Sequence, residues 1–178
     1  MDAKEHIQLQ VTICRDSSDW VMAGSPGPAM TEEQFNWVPP GTASPISVHF
    51  VHSLATEDNM IHTLLQGKPD LWLAGEWGEK IGLKSLPAGR QLNWDELRGK
   101  PLPLAPILAY QQVIRSATDA FLAGLTADDF EREVDFRDVR GRKGTVRLVM
   151  MYFVVHGLKH NGEMATLKRM QGVEGLPF

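Results

Sequence analysis

From Thr145 to Gly172 the chain runs for roughly seven helical turns without a proline, its apolar residues recurring at helical period. A segment this long and this periodic can only be a long helix, and three other stretches repeat the pattern. The first runs from about Lys4 to Ala23 and stops at Gly24-Ser-Pro-Gly-Pro28, where two glycines and two prolines cannot continue a helix. The second starts at Ser44-Pro45, an N-cap hydroxyl followed by proline at the first helical position, and runs about six turns to Gly67-Lys-Pro69. The third begins between Pro103 and Pro106 and continues through the run ending at Leu125, with Thr126 and Asp129 placed to cap a short extra turn. The fourth ends at a C-terminal glycine cap, Gly172. Asp70 to Pro106 contains Trp72, Trp77 and Trp94 and has no sustained period, so it reads as a structured loop inserted between the second and third helices. The charged stretch from Glu131 to Gly144 alternates too briefly to be assigned as a hairpin and reads as a connector. The expected class is all-α, with helix lengths that suit a bundle.

With 178 residues and no Pro/Ser-rich divide, one domain spanning 1–178 is expected. A chain of this size buries roughly 70% of its unfolded surface, so it needs neither disulfides nor metal merely to fold, and a functional role is the first expectation for any metal it holds. A net charge of -4 argues against nucleic acid or anionic membranes as partners. The longest apolar run, Leu148 to Val155, falls far short of the roughly 20 residues needed to cross a bilayer. The N-terminus lacks the pattern of a secretory signal, and Cys14 is the single cysteine, so a reducing, cytoplasmic location is expected.

The histidines carry the chemistry. On the fourth helix Thr145, Val149, Tyr152, Phe153, His156, His160, Glu163 and Leu167 form one stripe facing the bundle interior. Buried polar groups need partners, and two histidines at i and i+4 can reach one metal ion at about 2.0–2.1 Å. The same spacing also suits two core histidines bonded to carbonyls or hydroxyls. The second helix offers His49, His52 and His62. His52 shares a face with Val48, Ala55, Thr56 and Asn59, whose size leaves room beside an imidazole, which makes His52 the preferred third ligand. Phe50, Leu54, Ile61 and Leu65 occupy the opposite face, so this helix is sandwiched, as it would be between its own bundle and a partner subunit. His49 and His62 are expected to be partly exposed, with His49 a candidate for the outer shell of the site.

At these residues the sequence resembles the DinB-like (DinB/YfiT-like) superfamily. The resemblance rests on Pro45-Ile-Ser-Val-His-Phe-Val-His52-Ser-Leu-Ala-Thr-Glu57-Asp58, on His156-Gly-Leu-Lys-His160-Asn-Gly-Glu163, and on the ending Gly172-Val-Glu-Gly-Leu-Pro-Phe178. It extends to Leu71-Trp72-Leu-Ala-Gly-Glu-Trp77-Gly-Glu-Lys-Ile-Gly-Leu83, similar to an insertion in one branch of the family. The resemblance implies a four-helix bundle, a homodimer, and a divalent metal held by His52, His156 and His160. Zinc or nickel is expected there, with iron or manganese as alternatives. Three imidazoles leave at least one coordination position open, as in catalytic rather than structural sites. Characterised relatives include S-transferases and isomerases that use mycothiol, bacillithiol or similar low-molecular-weight thiols. The leading expectation is therefore a metal-dependent thiol S-transferase acting on a small organic substrate. The alternatives are a non-catalytic metal- or ligand-binding stress protein and a metal-dependent hydrolase. An oxygen-using iron(II) site, as in the similar domain of ergothioneine-forming sulfoxide synthases, is demoted because 178 residues leave no room for their additional domain.

The remaining residues are weighed against the same site. Gly157 stands where the H-E-x-x-H pattern requires glutamate, which disfavours peptidase chemistry. Glu163 can orient a ligand imidazole or simply pair with a basic residue, and Tyr152 is expected to pack. Arg137, Arg140, Arg142, Lys143 and Arg147 can receive a carboxylate, though such a run is more often a solvated loop. For the three tryptophans a packing role is preferred over a pocket lid, and Cys14 reads as a small core residue rather than a nucleophile.

Overall fold

A computed structural model describes residues 2–23, 28–88, 93–136, 141 and 143–176. In chain order the elements are α1 (Ala3–Ala23), a short α2 (Glu32–Asn36) and α3 (Ile46–Asp58), which continues at the wider π-helical pitch over Asn59–Leu65. The insertion carries three short helices, α4 (Leu71–Ala74), α5 (Trp77–Ile81) and α6 (Trp94–Arg98). Then come α7 (Leu104–Gly124), a 3₁₀ turn (Asp128–Glu131), strands β1 (Glu133–Asp135) and β2 (Lys143–Thr145), and α8 (Val146–Met170). The all-α class holds, and none of the described helices is long and apolar enough to cross a membrane.

Punctuation placed most helix ends. The Thr145 hydroxyl accepts from the Leu148 amide to start α8, and Gly172, at φ 76°, turns the chain out of it in the left-handed region. Thr126 and Asp129 make the expected local turn, the Thr126 amide donating to Asp129 Oδ2 at 2.7 Å. At the second helix the expectation needs correcting: Pro45 is itself the cap, the helix starts at Ile46, and no side chain caps it. The connector also needs correcting. Glu133 pairs with Thr145, Val134 with Gly144 and Asp135 with Lys143 in an antiparallel hairpin whose strands are too short for their alternation to stand out. Arg137, Arg140 and Arg142 lie outside the described residues, whereas Lys143 and Arg147 are exposed and paired with Glu133 and Glu131.

Side-chain contacts fix the helix directions. Asn161 Nδ2 donates to the Cys14 carbonyl at 2.8 Å and Lys168 Nζ to the Val21 carbonyl at 2.6 Å, so α8 and α1 climb in step and are parallel. Lys4, Arg15 and Asp19 meet Ala123, Asp119 and Arg115, so α7 runs against α1. His52 meets His156 and His49 meets His160, so α3 runs against α8. The bundle is therefore up-down-down-up. Since α3 and α7 are parallel, the chain between them must return along the length of the bundle, and the tryptophan-containing insertion is that crossover.

This arrangement explains why α3 is apolar on both sides. Phe50, Leu54, Val48 and Ala55 are all buried, and the second cover is the chain's own crossover, with Trp72 and Trp77 packed against Tyr110 of α7. Asp58 pins the crossover at its start. Its carboxylate accepts from the Leu71 and Trp72 amides at 2.9 Å each and from the Tyr110 hydroxyl at 2.6 Å, and His62 Nδ1 lies 3.0 Å away. His62 is thus buried, not partly exposed as its sequence position suggested.

The seam between α1 and α8 is close at Gly157. A Cβ placed there would lie 2.6 Å from Cys14 Sγ, so Gly157→Ala is expected to lower stability by about 1–3 kcal/mol, read by urea denaturation. The same crowding leaves no room for a glutamate at this position. Burial pushes the Cys14 thiol up to about 11, with Glu57 adding to the rise, which keeps it protonated and unreactive at neutral pH.

Candidate metal centre

The site lies where the N-terminal half of α3 crosses the middle of α8. Antiparallel packing brings His52 level with His156 and His49 level with His160, although more than a hundred residues separate each pair. His156 Nε2 is 3.2 Å from His52 Nε2 and 3.2 Å from His160 Nε2. The three imidazoles expected from the sequence therefore converge on one point. His52 and His160 are buried and His156 is half-buried.

Outer contacts set the tautomers. His52 Nδ1 is 2.8 Å from the Pro87 carbonyl, which can only accept, so the proton is on Nδ1 and the lone pair on Nε2. His160 Nδ1 is 2.6 Å from Glu163 Oε2, which again places the proton outward and the Nε2 lone pair inward. A proton on His156 Nε2 can satisfy only one of the two lone pairs that face it. A cation satisfies all three. Two nitrogens bonded to one ion at 2.0–2.1 Å lie about 3.3 Å apart at a tetrahedral angle and about 2.9 Å apart at a right angle, and the observed 3.2 Å fits that range. The residues present thus suit a divalent ion, and the outward Nδ1 partners are those that orient metal-bound imidazoles.

Charge favours the same state. Burial lowers the pKa of His52 and of His49, and it takes His160 down to about 4 although Glu163 pulls the other way. Rings kept neutral at physiological pH are the form that binds metal.

Two neighbours take their place at the site only in the folded chain. His49, half-buried, stands in the outer shell for which it was a candidate: its Nδ1 is 3.1 Å from Glu163 Oε2 and 3.1 Å from His160 Nδ1, so Glu163 is shared between the two rings. His49, His160 and Glu163 are close enough to form a second possible ligand group. Their i,i+3 spacings, His49 before His52 and Glu163 after His160, were visible, but the antiparallel register that joins them was not. Trp94 is the second case. Trp72 and Trp77 pack as expected, whereas the Trp94 ring lies 4.8 Å from His52, 5.5 Å from His49 and 6.2 Å from His160, forming one wall of the site. Tyr152 packs edge-on against Phe136 at 5.2 Å.

An up-down-down-up bundle with three convergent imidazoles between its second and last long helices defines a helical protein with a candidate metal centre. A sequence profile of the DinB superfamily matches residues 28–164, a span that includes all three histidines, and the chain belongs to that superfamily. Its fold is similar to that of a structure described as a conserved protein from Enterococcus faecalis, at 16% sequence identity and a TM-score of 0.76, covering 96% of this chain and 97% of that one. Among curated proteins, none matches the sequence significantly.

Proposed function

We propose that His52, His156 and His160 hold a divalent metal ion, zinc or nickel by their ligand chemistry, and that the chain is a metal-dependent thiol S-transferase. The observation behind this reading is the pair of lone pairs, fixed by Pro87 and Glu163, that meet at His156 with only 3.2 Å between nitrogens. Such an ion supplies Lewis acidity, which lowers the pKa of a thiol or water in a vacant coordination position. The chain's own contribution is orientation and exclusion. Pro87 and Glu163 hold two imidazoles in place, and Trp94 walls off one side of the site. In the transfer the thiol sulfur bonds to an electrophilic carbon, its proton passes to solvent, and the leaving group departs with its electron pair. The family resemblance, with mycothiol or bacillithiol as co-substrate in relatives, supports the choice of a thiol.

The test is turnover. Metal-loaded protein is assayed with mycothiol, bacillithiol, glutathione and coenzyme A against monochlorobimane. Metal-dependent conjugation with one of these thiols is the expected result. Tight thiol binding without turnover would instead support a binding protein, and thiol-independent ester cleavage a hydrolase.

Glu163→Gln keeps the shape of the side chain but removes the charge that orients His160. Outer-shell changes of this kind cost roughly 10–100-fold in metal affinity, and that loss is expected in a competition titration against a chromophoric chelator. We also propose that the chain pairs with a second copy, as the resemblance implies. Leu9 and Ile13 on α1 and Met151, Val155 and Leu158 on α8 are exposed apolar side chains on two parallel, packed helices, a suitable face for such pairing. Sedimentation is expected to give twice 19.8 kDa for the wild type and 19.8 kDa for a Leu9→Glu, Val155→Glu double variant.

A further inference from the structure

Around α4 and α5 the crossover forms a surface cavity of about 350 Å³, within the roughly 300–1,000 Å³ of small-molecule sites. None of the histidines lines it. Its walls are mainly apolar, with Trp72, Leu73 and Leu83 supplying them. Glycine at position 78 keeps the floor open: a Cβ there would lie 2.7 Å from the Leu83 carbonyl oxygen and 3.2 Å from Trp72 Nε1.

Packing leaves two features of this cavity unexplained. The Trp72 indole is 5% exposed, with its ring against Tyr110, yet no described residue accepts from its Nε1. That nitrogen is not one of the sealed, unbonded polar atoms of the interior, so solvent reaches it, beside Gly78 on the cavity floor. Buried donors are nearly always paired, and one left open only toward a cavity is placed to hold an acceptor. The second feature is Glu76, which at φ 53° and ψ 35° is the one described non-glycine residue in the left-handed region. Glycine would take that conformation without strain, and strain of this kind collects at functional sites. Glu76 lines the cavity together with Glu79 and Lys84, and none of the three side chains has an ion pair or hydrogen bond among the described residues.

We propose that this cavity binds a small organic amine, one with an apolar body and an oxygen that accepts from Trp72 Nε1. Two carboxylates against one ammonium leave the cavity net negative, which draws in a cation and disfavours an anion. The apolar body lies against Leu83 and covers Leu73, a leucine otherwise left 71% exposed. The indole N–H supplies the directional contact, since it can only donate. Charge at the rim, an apolar wall and one fixed donor together select an amine that also carries a carbonyl, ether or hydroxyl oxygen.

The probe is L-leucinamide, which carries an ammonium, a carbonyl and a branched apolar chain. N-acetyl-L-leucinamide keeps the body and the carbonyl but lacks the charge. Each is titrated into the full ¹⁵N-labelled chain and followed at the indole N–H resonances of its five tryptophans. The expected result is a saturable shift of the Trp72 indole, with binding weakened about fivefold or more by acetylation, the upper worth of one exposed ion pair. Glu76→Gln with Glu79→Gln changes two exposed side chains, so the fold is kept and the preference for the charged probe is expected to disappear. No saturable shift at Trp72 would overturn the proposal, as would equal binding of the two probes or a preference that survives in the double variant. A response confined to Trp94 would place the amine at the histidine cluster and count against this cavity. The readout requires neither metal loading nor turnover, so failure of the S-transferase reading and failure of this one are distinguishable.

Discussion

His156→Ala is expected to abolish stoichiometric metal binding. The wild-type chain, purified without an affinity-tag metal, should carry close to one divalent ion per chain by plasma mass spectrometry, and the variant almost none. His156 stands between the other two imidazoles, so its removal breaks both 3.2 Å contacts at once and leaves two ligands where three converged. The loss should exceed the roughly 10–100-fold expected of an outer-shell change such as Glu163→Gln. Stability offers a second readout. An ion at about 1,000 times its Kd stabilises the folded state by about 4 kcal/mol, so added metal should raise the wild-type Tm and leave that of His156→Ala unmoved. Because His156 is half-buried and joins no hydrophobic cluster, the variant is expected to fold. Equal metal content in the two proteins would remove the proposed centre.

Asp58→Ala is expected to produce the largest loss of stability. The carboxylate is wholly buried and serves the Tyr110 hydroxyl, two backbone amides at the start of the crossover, and His62. Removing it strands all of these groups, at a cost of about 3–5 kcal/mol, or roughly 10 °C in Tm for a chain of this length. The effect has a pH signature. Burial alone would raise the Asp58 pKa, but the contacts from His62, Tyr110, Leu71 and Trp72 outweigh it and hold the carboxyl below its ordinary 3.8. A group whose folded pKa is depressed contributes stability that is fully present above the unfolded value and is lost as pH falls through the folded one. The stability gap between wild type and Asp58→Asn should therefore be wide at neutral pH and shrink once the solution is more acidic than 3.8. Urea denaturation of both proteins across that range checks it: a gap that stayed constant would mean that folding leaves the Asp58 pKa unchanged, and a gap that widened in acid would mean that its pKa is raised.

Much of the architecture was legible along the chain. The four long helices follow from apolar period and from proline and glycine punctuation, both of which act over a few residues and so leave their mark in any short window. The hairpin escaped because three-residue strands carry too little alternation, and the Pro45 cap was misread because Ser44 and Pro45 are both plausible first residues. The placement of His62 failed for a different reason. Its burial depends on Asp58, a carboxylate that turns inward only because Tyr110 and the crossover amides meet it there. The double-sided α3 was correctly read as sandwiched, yet nothing in its period could show that the second cover is a later part of the same chain.

The candidate site divides in the same way. His52, His156 and His160 were named from spacing, face and resemblance, because i,i+4 geometry and the size of neighbouring residues are local facts. The chain by itself thus determined which imidazoles were available and which helix faces carried them. Tertiary structure alone decided that Glu163 is shared by His160 and His49, that Pro87 fixes the tautomer of His52, and that Trp94 walls the cluster. Those three outcomes depend on the register of two antiparallel helices and on a crossover returning along the bundle. Register and return path are set by packing between segments far apart in the chain, and no local pattern of residues encodes them.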